Sequence, residues 1–122
     1  MRFADVEAAV IPFIKARAGG VTVSTKVPAT RPATFVRAWA NGGAAINRVL
    51  EDVQVTVDVW APSQPAASAL AATIRTAFLN DLQAAFPLVR GVSEVTRPYS
   101  QPDETSERYR ATYSLRVRAT RT

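Results

Sequence analysis

The stretch that decides the fold is residues 53–60, Val53-Gln54-Val55-Thr56-Val57-Asp58-Val59-Trp60. Valine occupies every second position, and successive side chains of a strand point to opposite faces of its sheet. Four β-branched side chains on one face favour a strand and require a packed core beneath them. This segment is therefore predicted to be a strand with Asp58 and Trp60 on the face opposite the valines.

A long helix is predicted directly after this strand. Ser63 is suited to cap it, and Pro65 is tolerated in the first turn, where a backbone N–H has no intrahelical partner. Apolar side chains then recur at helical spacing until Pro87, which cannot continue a helix. The residues of this stripe are Leu70, Ile74, Ala77, Phe78, Leu82, Ala85 and Phe86.

The rest of the chain is predicted to add one helix and four strands. Residues 2–18 have apolar side chains at helical spacing, but Pro12 removes one backbone hydrogen bond there and costs about 3 kcal/mol. We therefore expect a kink at Pro12 or a helix divided into two short pieces. The predicted strands are residues 21–27, 34–40, 88–97 and 108–118, and the predicted loops are residues 41–50, opened by Asn41-Gly42-Gly43, and residues 98–107.

This order of elements, α-β-β-β-α-β-β, predicts the fold class. Two helices packed on one mixed or mostly antiparallel β-sheet of about four to five strands form an α+β fold of two layers. The chain has 122 residues and 13.2 kDa, with 48% hydrophobic and 20% charged residues. Those values are typical of one globular domain, so residues 1–122 are predicted to be a single domain.

The composition excludes several kinds of site. The sequence contains no cysteine and no histidine, so disulfides, thiolate zinc sites and histidine-dependent catalysis are impossible. Glu51-Asp52 begins a strand, so its two carboxylates are predicted to point to opposite faces. Asp103, Glu104 and Glu107 lack the spacing of a calcium loop, and no glycine-rich phosphate loop is present. We therefore expect no catalytic activity, no metal and no cofactor.

Basic side chains are segregated along the chain, which has a net charge of +5. Residues 21–50 and 108–122 contain basic residues but no acid, and Arg110, Arg116 and Arg118 share one face of the last predicted strand. This face is interpreted as a stripe that meets phosphates or as a surface that pairs with acidic groups of a second copy or a partner, since unshielded arginines repel one another. Ordinary solvated surface is the third interpretation.

Aromatic side chains are a second indication of an interaction surface. Trp39 shares a strand face with Arg37, and these residue types are typical of the centres of protein–protein interfaces. Trp60 is interpreted either in the same way or as a cap on the core beneath the following helix. The residues predicted to meet a neighbouring subunit or a partner are Trp39, Asn41, Gly42, Gly43, Asn47, Arg48 and Tyr99.

No segment of the sequence predicts secretion or membrane insertion. The first residues carry two acids where a signal peptide has basic and then apolar residues. No apolar run approaches the roughly 18 residues that span a bilayer. We therefore expect a soluble protein that folds in a cytoplasm and has no membrane partner.

Several segments together resemble the tail terminator, or tail-completion, proteins of phages with long non-contractile tails, especially phages of actinobacterial hosts. No segment is a chemical signature, and the resemblance rests on their order across nearly the whole chain. The segments are Phe3-x-Asp5-Val6-Glu7, Val21-Thr22-Val23-Ser24-Thr25-x-Val27-Pro28, Arg31-Pro32-x-x-Phe35-Val36, Gly42-Gly43 with Asn47-Arg48, Val53-Gln54-Val55-x-Val57-x-Val59-Trp60-Ala61 and Tyr109-x-Ala111-x-Tyr113-x-Leu115.

The resemblance implies a structural protein of the virion. Proteins of this family form a ring, typically a hexamer, on the end of the tail tube, where they stop tube polymerisation and present the surface to which the filled head docks. The implied partners are further copies of the chain, the major tail tube protein and a head–tail connector or neck protein, with genome DNA passing through the lumen without sequence-specific binding. The implied location is the head-proximal end of the tail, after assembly in the cytoplasm of the bacterial host.

Other functions stay open at this point. One alternative is a different head–tail connector or neck adaptor of a phage. Another is a basic α+β module that binds nucleic acid, which the segregated arginines favour. A small enzyme with a site made only of carboxylates is the least favoured.

Overall fold

The structure, a computed structural model, describes residues 2–104 and 106–121, and the strands in those ranges form one mixed sheet. The order across the sheet is β1-β2-β3-β5-β4. β1 is parallel to β2, and the other neighbouring strands are antiparallel. The predicted fold class and element order are confirmed. The strands are β1 (Thr22–Ser24), β2 (Phe35–Ala45), β3 (Leu50–Ala61), β4 (Val89–Ser100) and β5 (Glu107–Arg118).

Helices cover one face of this sheet. They are α1 (Val6–Arg17), α2 (Gln64–Asn80) and the short α3 (Leu82–Ala85). α1 lies over β1 and β2, whereas α2 lies over β3, β4 and β5. The four valines of the deciding stretch belong to one buried cluster with side chains of both long helices. The predicted packing of valines against helices is therefore confirmed.

α1 is one continuous helix, so the predicted alternative of two short pieces divided at Pro12 is wrong. Asp5 caps the helix, its carboxylate accepting a hydrogen bond from a first-turn backbone N–H at 3.2 Å. Val6, Val10 and Ile14 form a buried stripe. Burying a side chain of this size contributes about 1.5–3 kcal/mol, so three of them outweigh the cost of about 3 kcal/mol for an internal proline.

The second predicted helix is interrupted near its end. The apolar stripe indicated a single helix up to Phe86, but α2 ends at Asn80 and α3 begins after Asp81. The Asp81 carboxylate forms an ion pair with Arg17 of α1 at 3.0 Å. Leu82 is nevertheless fully buried, so the stripe keeps facing the sheet through the interruption.

Strand lengths at both edges of the sheet differ from the prediction. β1 is limited to Thr22–Ser24, whereas β4 extends to Ser100. Tyr99 therefore lies in a strand and not in the predicted loop over residues 98–107. Pro98 is tolerated in β4 because an edge strand has no neighbour on one side, so a missing N–H loses no ladder hydrogen bond there.

The prediction of a loop over residues 41–50 is wrong, because most of it belongs to a β-hairpin. β2 continues through both glycines, and the turn is limited to residues 46–49. Gly42 and Gly43 have positive φ angles of 121° and 119°. The register with β3 shifts between Ala40 and Gly43. The glycines form a bulge that lets the strand continue, where the sequence pattern indicated a flexible tip.

The bulge leads to a prediction about Gly43. A Cβ added there would overlap the backbone carbonyl of Asp52, and φ is positive. We expect Gly43→Ala to lower the free energy of unfolding by about 2 kcal/mol, measured by urea unfolding with tryptophan fluorescence. Gly91→Ala is the matched control, because its Cβ would meet its nearest neighbour at 3.9 Å. Equal losses in the two variants would contradict the role assigned to the bulge.

Candidate interaction surface

The sheet face opposite the helices carries polar, charged and aromatic side chains. Strand pairing places Thr56, Asp58 and Trp60 of β3 between the side chains of β2 and β5 on this face. Their exposed fractions are 3%, 0% and 2%. β3 is therefore buried on both faces, although the described helices cover only one. We call this whole side of the sheet, with these three residues at its centre, the open face.

Asp58 is the charged centre of the open face. Its carboxylate accepts two hydrogen bonds from the Arg110 guanidinium, at 2.7 and 2.9 Å, and lies 4.0 Å from a nitrogen of Arg108. The hydrogen bond with Asp58 raises the pKa of the Arg110 guanidinium. A buried carboxylate requires a partner of this kind, and the two-point contact fixes the plane of the guanidinium.

Trp39 lies beside this ion pair and contacts two arginines. The Arg37 guanidinium is 3.8 Å from the centre of the Trp39 ring, and the Arg110 guanidinium is 5.6 Å from it. Arg37 also donates a hydrogen bond to the carbonyl oxygen of Thr25 at 2.9 Å. The predicted placement of Trp39 with Arg37 is confirmed, and the structure adds Arg110 to the group. Arginine over an aromatic ring is a favourable contact that also holds the ring in place.

Asn41 and Tyr99 lie near this centre. Asn41 accepts a hydrogen bond from the Thr56 hydroxyl at 3.0 Å. Tyr99 lies opposite Arg110 in the pairing of β4 with β5, and it is 40% exposed. The structure therefore brings these two predicted residues to the same open face as Trp39.

Asn47 and Arg48 are placed elsewhere, in the turn of the β2–β3 hairpin. The Asn47 side-chain oxygen accepts hydrogen bonds from the backbone N–H groups of Val49 and Leu50, at 2.8 and 2.9 Å, and so stabilises the turn. Arg48 is exposed there. The remaining strand residues of the hairpin separate this turn from Trp39, so the predicted surface residues do not form one patch.

The three arginines predicted to share a strand face do so, but two of them are shielded. Arg110 is paired with Asp58, and Arg116 donates hydrogen bonds to both oxygens of Asp52 at 3.1 and 3.2 Å. Both acids lie on β3, the neighbouring strand. Arg118 is exposed, and no described carboxylate lies within ion-pair distance of it. The expected repulsion among these arginines is therefore relieved mostly by acidic side chains of the same chain.

A separate group of arginines gathers where β3 and β4 begin and β5 ends. Arg118 lies opposite Leu50 of β3, and Arg2 is bridged to Thr120 just beyond β5. All members are exposed, and none pairs with a carboxylate in the described ranges. The group, which we call the basic end, consists of Arg2, Arg48, Arg90, Arg118 and Arg121.

The opposite end of the sheet contains a cleft of about 620 Å³. Trp60 stacks on Phe35 there, with ring centres 4.4 Å apart, and its indole N–H donates a hydrogen bond to Asp103 at 2.8 Å. Arg31 lies over both rings and forms an ion pair with Asp103 at 3.1 Å. Trp60 is thus buried on the open face, and the interpretation of a cap beneath the following helix is wrong.

Sequence reasoning missed Asp58 and Asp103 as residues that organise this face. A signal for Asp58 was available, because an acid inside the most strongly patterned strand requires a partner if the strand is buried. Asp103 was considered only as one of three loop acids. Its hydrogen bond with Trp60 joins residues 43 positions apart, and no local pattern indicates such a contact.

The described ranges contain neither an acidic metal site nor a membrane-spanning helix. No group of three or more acidic side chains there is arranged to hold a metal ion. None of the helices in those ranges is long and apolar enough to cross a membrane.

The fold, unlike the sequence, has a counterpart among proteins of known structure. No protein-family model matches the chain, and no curated protein matches it. A chain from the virion of a native gene transfer agent particle is similar in structure, with a TM-score of 0.64 and 18% sequence identity. The similarity covers 93% of this chain and 95% of that chain. At this identity the likeness shows a shared fold over nearly the whole of both chains.

The buried ion pair leads to a prediction about Asp58. We expect Asp58→Ala to lower the free energy of unfolding by about 2–4 kcal/mol, because it leaves Arg110 partly buried without its carboxylate. Asp52→Ala is the matched control and is expected to cost less than about 1 kcal/mol, since both partners of its ion pair are exposed. Urea unfolding measures both values. A loss at Asp58 no larger than that at Asp52 would contradict its central role.

Proposed function

We propose that this chain is a structural protein of a phage-like virion and acts through its surfaces, without catalysis. The observation that carries the proposal is the fold shared with a chain of a gene transfer agent virion, over nearly the full length of both chains. A shared fold alone does not define a function.

The open face supports a role in assembly. Trp39 is in contact with Arg37 and Arg110, and tryptophan and arginine are the residue types that contribute most at interface centres. Arg110 is already held by Asp58 through two hydrogen bonds. A side chain that is fixed before binding loses little conformational entropy when a partner docks. The open face is thus preorganised for binding a protein partner.

Within the virion, we propose the role that the resemblance to tail terminators implies. Copies of the chain form a ring on the last ring of the tail tube, end its polymerisation and offer the docking surface for the head. Ring closure requires head-to-tail contacts between two different surfaces of one chain. The basic end and the cleft lined by Glu104 and Glu107 are two surfaces of opposite charge at opposite ends of the sheet.

Capping of tail tubes tests this role. We expect the purified protein, added to polymerising tube protein of the same virus, to stop growth and to appear as a ring at tube ends in negative-stain images. Arg37→Ala/Trp39→Ala is expected to need at least about tenfold more protein for the same effect, as for residues at an interface centre. Leu79→Ala, an exposed apolar residue of α2, is the control and should cap normally. Tubes that keep growing at every concentration of the unaltered protein would exclude the role.

The basic end favours nucleic-acid binding as the second candidate function. Its five arginines have no carboxylate partner among the described residues, and arginine suits phosphate through its planar, two-point geometry. Arg110 and Arg116 do not add to it, because Asp58 and Asp52 already hold them. This candidate therefore depends on the basic end and not on the predicted strand face.

Salt dependence tests the second candidate. If the basic end binds phosphates, the slope of log affinity for duplex DNA against log salt should fall in magnitude by about 2 for Arg118→Ala/Arg121→Ala. Lys15→Ala/Lys26→Ala removes the same charge at two exposed lysines that form no ion pair with a described carboxylate, and should leave the slope unchanged. Fluorescence anisotropy with labelled duplex DNA measures both slopes. Equal changes in the two variants would indicate attraction by net charge alone.

A further inference from the structure

In the part of the chain that the structure describes, the outer edge of β2 has no strand partner over most of its length. β1 pairs with β2 only from Phe35 to Arg37, whereas β2 continues to Ala45. Beyond Arg37, among the described residues, this edge has one hydrogen bond to its backbone, from the Ala40 N–H to the Glu7 carboxylate at 2.8 Å. Unpaired strand edges attract further strands unless something blocks them.

Within residues 2–104 and 106–121, no bulky side chain of the strand blocks this edge. Residues 40–45 are all exposed and consist of alanine, asparagine and glycine. A groove of about 540 Å³ runs between them and the start of α1. Because these side chains are small, they leave the outer backbone groups of the strand accessible, and such groups are what an added strand binds.

The groove is acidic. Asp5 and Glu7 line it from the start of α1, and Glu51 lines it from β3. Burial raises the pKa of the Glu51 carboxyl, which is the direction expected for an acid that lacks a cationic partner. These carboxylates would repel the phosphates of a nucleic acid and would attract a strand that carries basic side chains.

The other edge of the same sheet is a basic strand. β4 has Arg90 and Arg97, both exposed and without a carboxylate partner among the described residues. Register shifts interrupt its pairing with β5 at both ends and leave the regular run Gly91–Glu94 between them. Bulges protect an edge strand from unspecific pairing, so this regular run is the part suited to receive a strand.

We propose that the free edge of β2 over residues 43–45, where the regular pairing with β3 resumes beyond the bulge, binds the β4 edge of a second copy around Gly91–Glu94, so that the sheet continues from one subunit to the next. The two edges differ, and such a head-to-tail contact repeats until a ring closes. The acids beside β2 meet Arg90 and Arg97 of the incoming strand. This interface rests on the proposed function, since it names the contact that joins the subunits of the ring.

Thiol chemistry tests the interface, because the chain contains no cysteine. Ala44 and Ser93 both lie on the open face, opposite Asp52 and Ser114 in their respective pairings. Side chains on paired strands are about 4.5–5.5 Å apart, within reach of a short bismaleimide linker. The double variant Ala44→Cys/Ser93→Cys is added to tail tubes and is then treated with that linker.

The proposal expects a ladder of linked species on a denaturing gel, ending at one largest species that corresponds to the closed ring. A mixture of the two single-cysteine proteins should stop at the dimer. Ala44→Cys/Thr73→Cys is the control, with the second thiol on the exposed side of α2, and should give no ladder. Adding Arg90→Glu/Arg97→Glu should abolish the ladder by placing acids against the acidic groove.

A second measurement does not depend on the exact register. A benzophenone attached to Ala44→Cys is photoactivated on capped tubes, and the linked peptides are identified by mass spectrometry. Peptides from residues 89–100 of another copy support the interface. Peptides of the tube protein, or nucleic acid, in their place overturn it.

The two proposals fail in different ways. Capped tubes that yield neither the ladder nor the residue 89–100 peptides would overturn the strand-pairing interface and leave the capping role intact. A ladder formed in solution by a protein that never caps tubes would support the interface and overturn the role. Absence of capping, ladder and peptides would overturn both.

Discussion

The structure depends on one central strand that is buried on both of its faces. β3 pairs with β5 along its whole length, and its valines face the helices while Asp58 and Trp60 face the other way. A slip of one residue in this pairing would exchange the two faces and place Asp58 in the apolar core. Because a buried carboxylate without a partner is costly, the alternation of valine with polar residues fixes the register of the sheet.

The same constraint determines which charges are free to meet a partner. Asp58 must be neutralised, and Arg110 from the neighbouring strand does so. Arg116 forms the corresponding ion pair with Asp52 near the end of the sheet. Five of the described arginines that form no ion pair with a described carboxylate lie at the basic end. The strand face that is basic in the sequence therefore has two of its three arginines, Arg110 and Arg116, paired with acids in the folded chain.

Much of the fold was predictable because the controlling interactions are local or periodic. Alternating valines define β3, and a stripe at helical spacing defines α2. The errors arise where tertiary contacts outweigh a local preference. Burial of three side chains keeps α1 intact through Pro12, and pairing with β3 holds Gly42 and Gly43 in a strand. A local sequence pattern indicates neither the burial free energy of α1 nor the free energy of pairing between β2 and β3.

The candidate interaction surface likewise combines features that were predictable from the sequence with features that were not. Trp39 with Arg37, and the shared face of Arg110, Arg116 and Arg118, follow from strand alternation and were found in the sequence. The partners that hold these side chains, and the open edge of β2, depend on which strands become neighbours.

The sequence by itself determined the α+β class, the central strand and the identity of the charged and aromatic side chains, because these follow from composition and from periods of two and of three to four residues. Only the tertiary structure decided that Asp58 balances Arg110, that Trp60 meets Asp103 and that five arginines gather at one end. Each of these contacts joins distant segments through the order β1-β2-β3-β5-β4, and that order depends on packing free energy summed over the whole sheet.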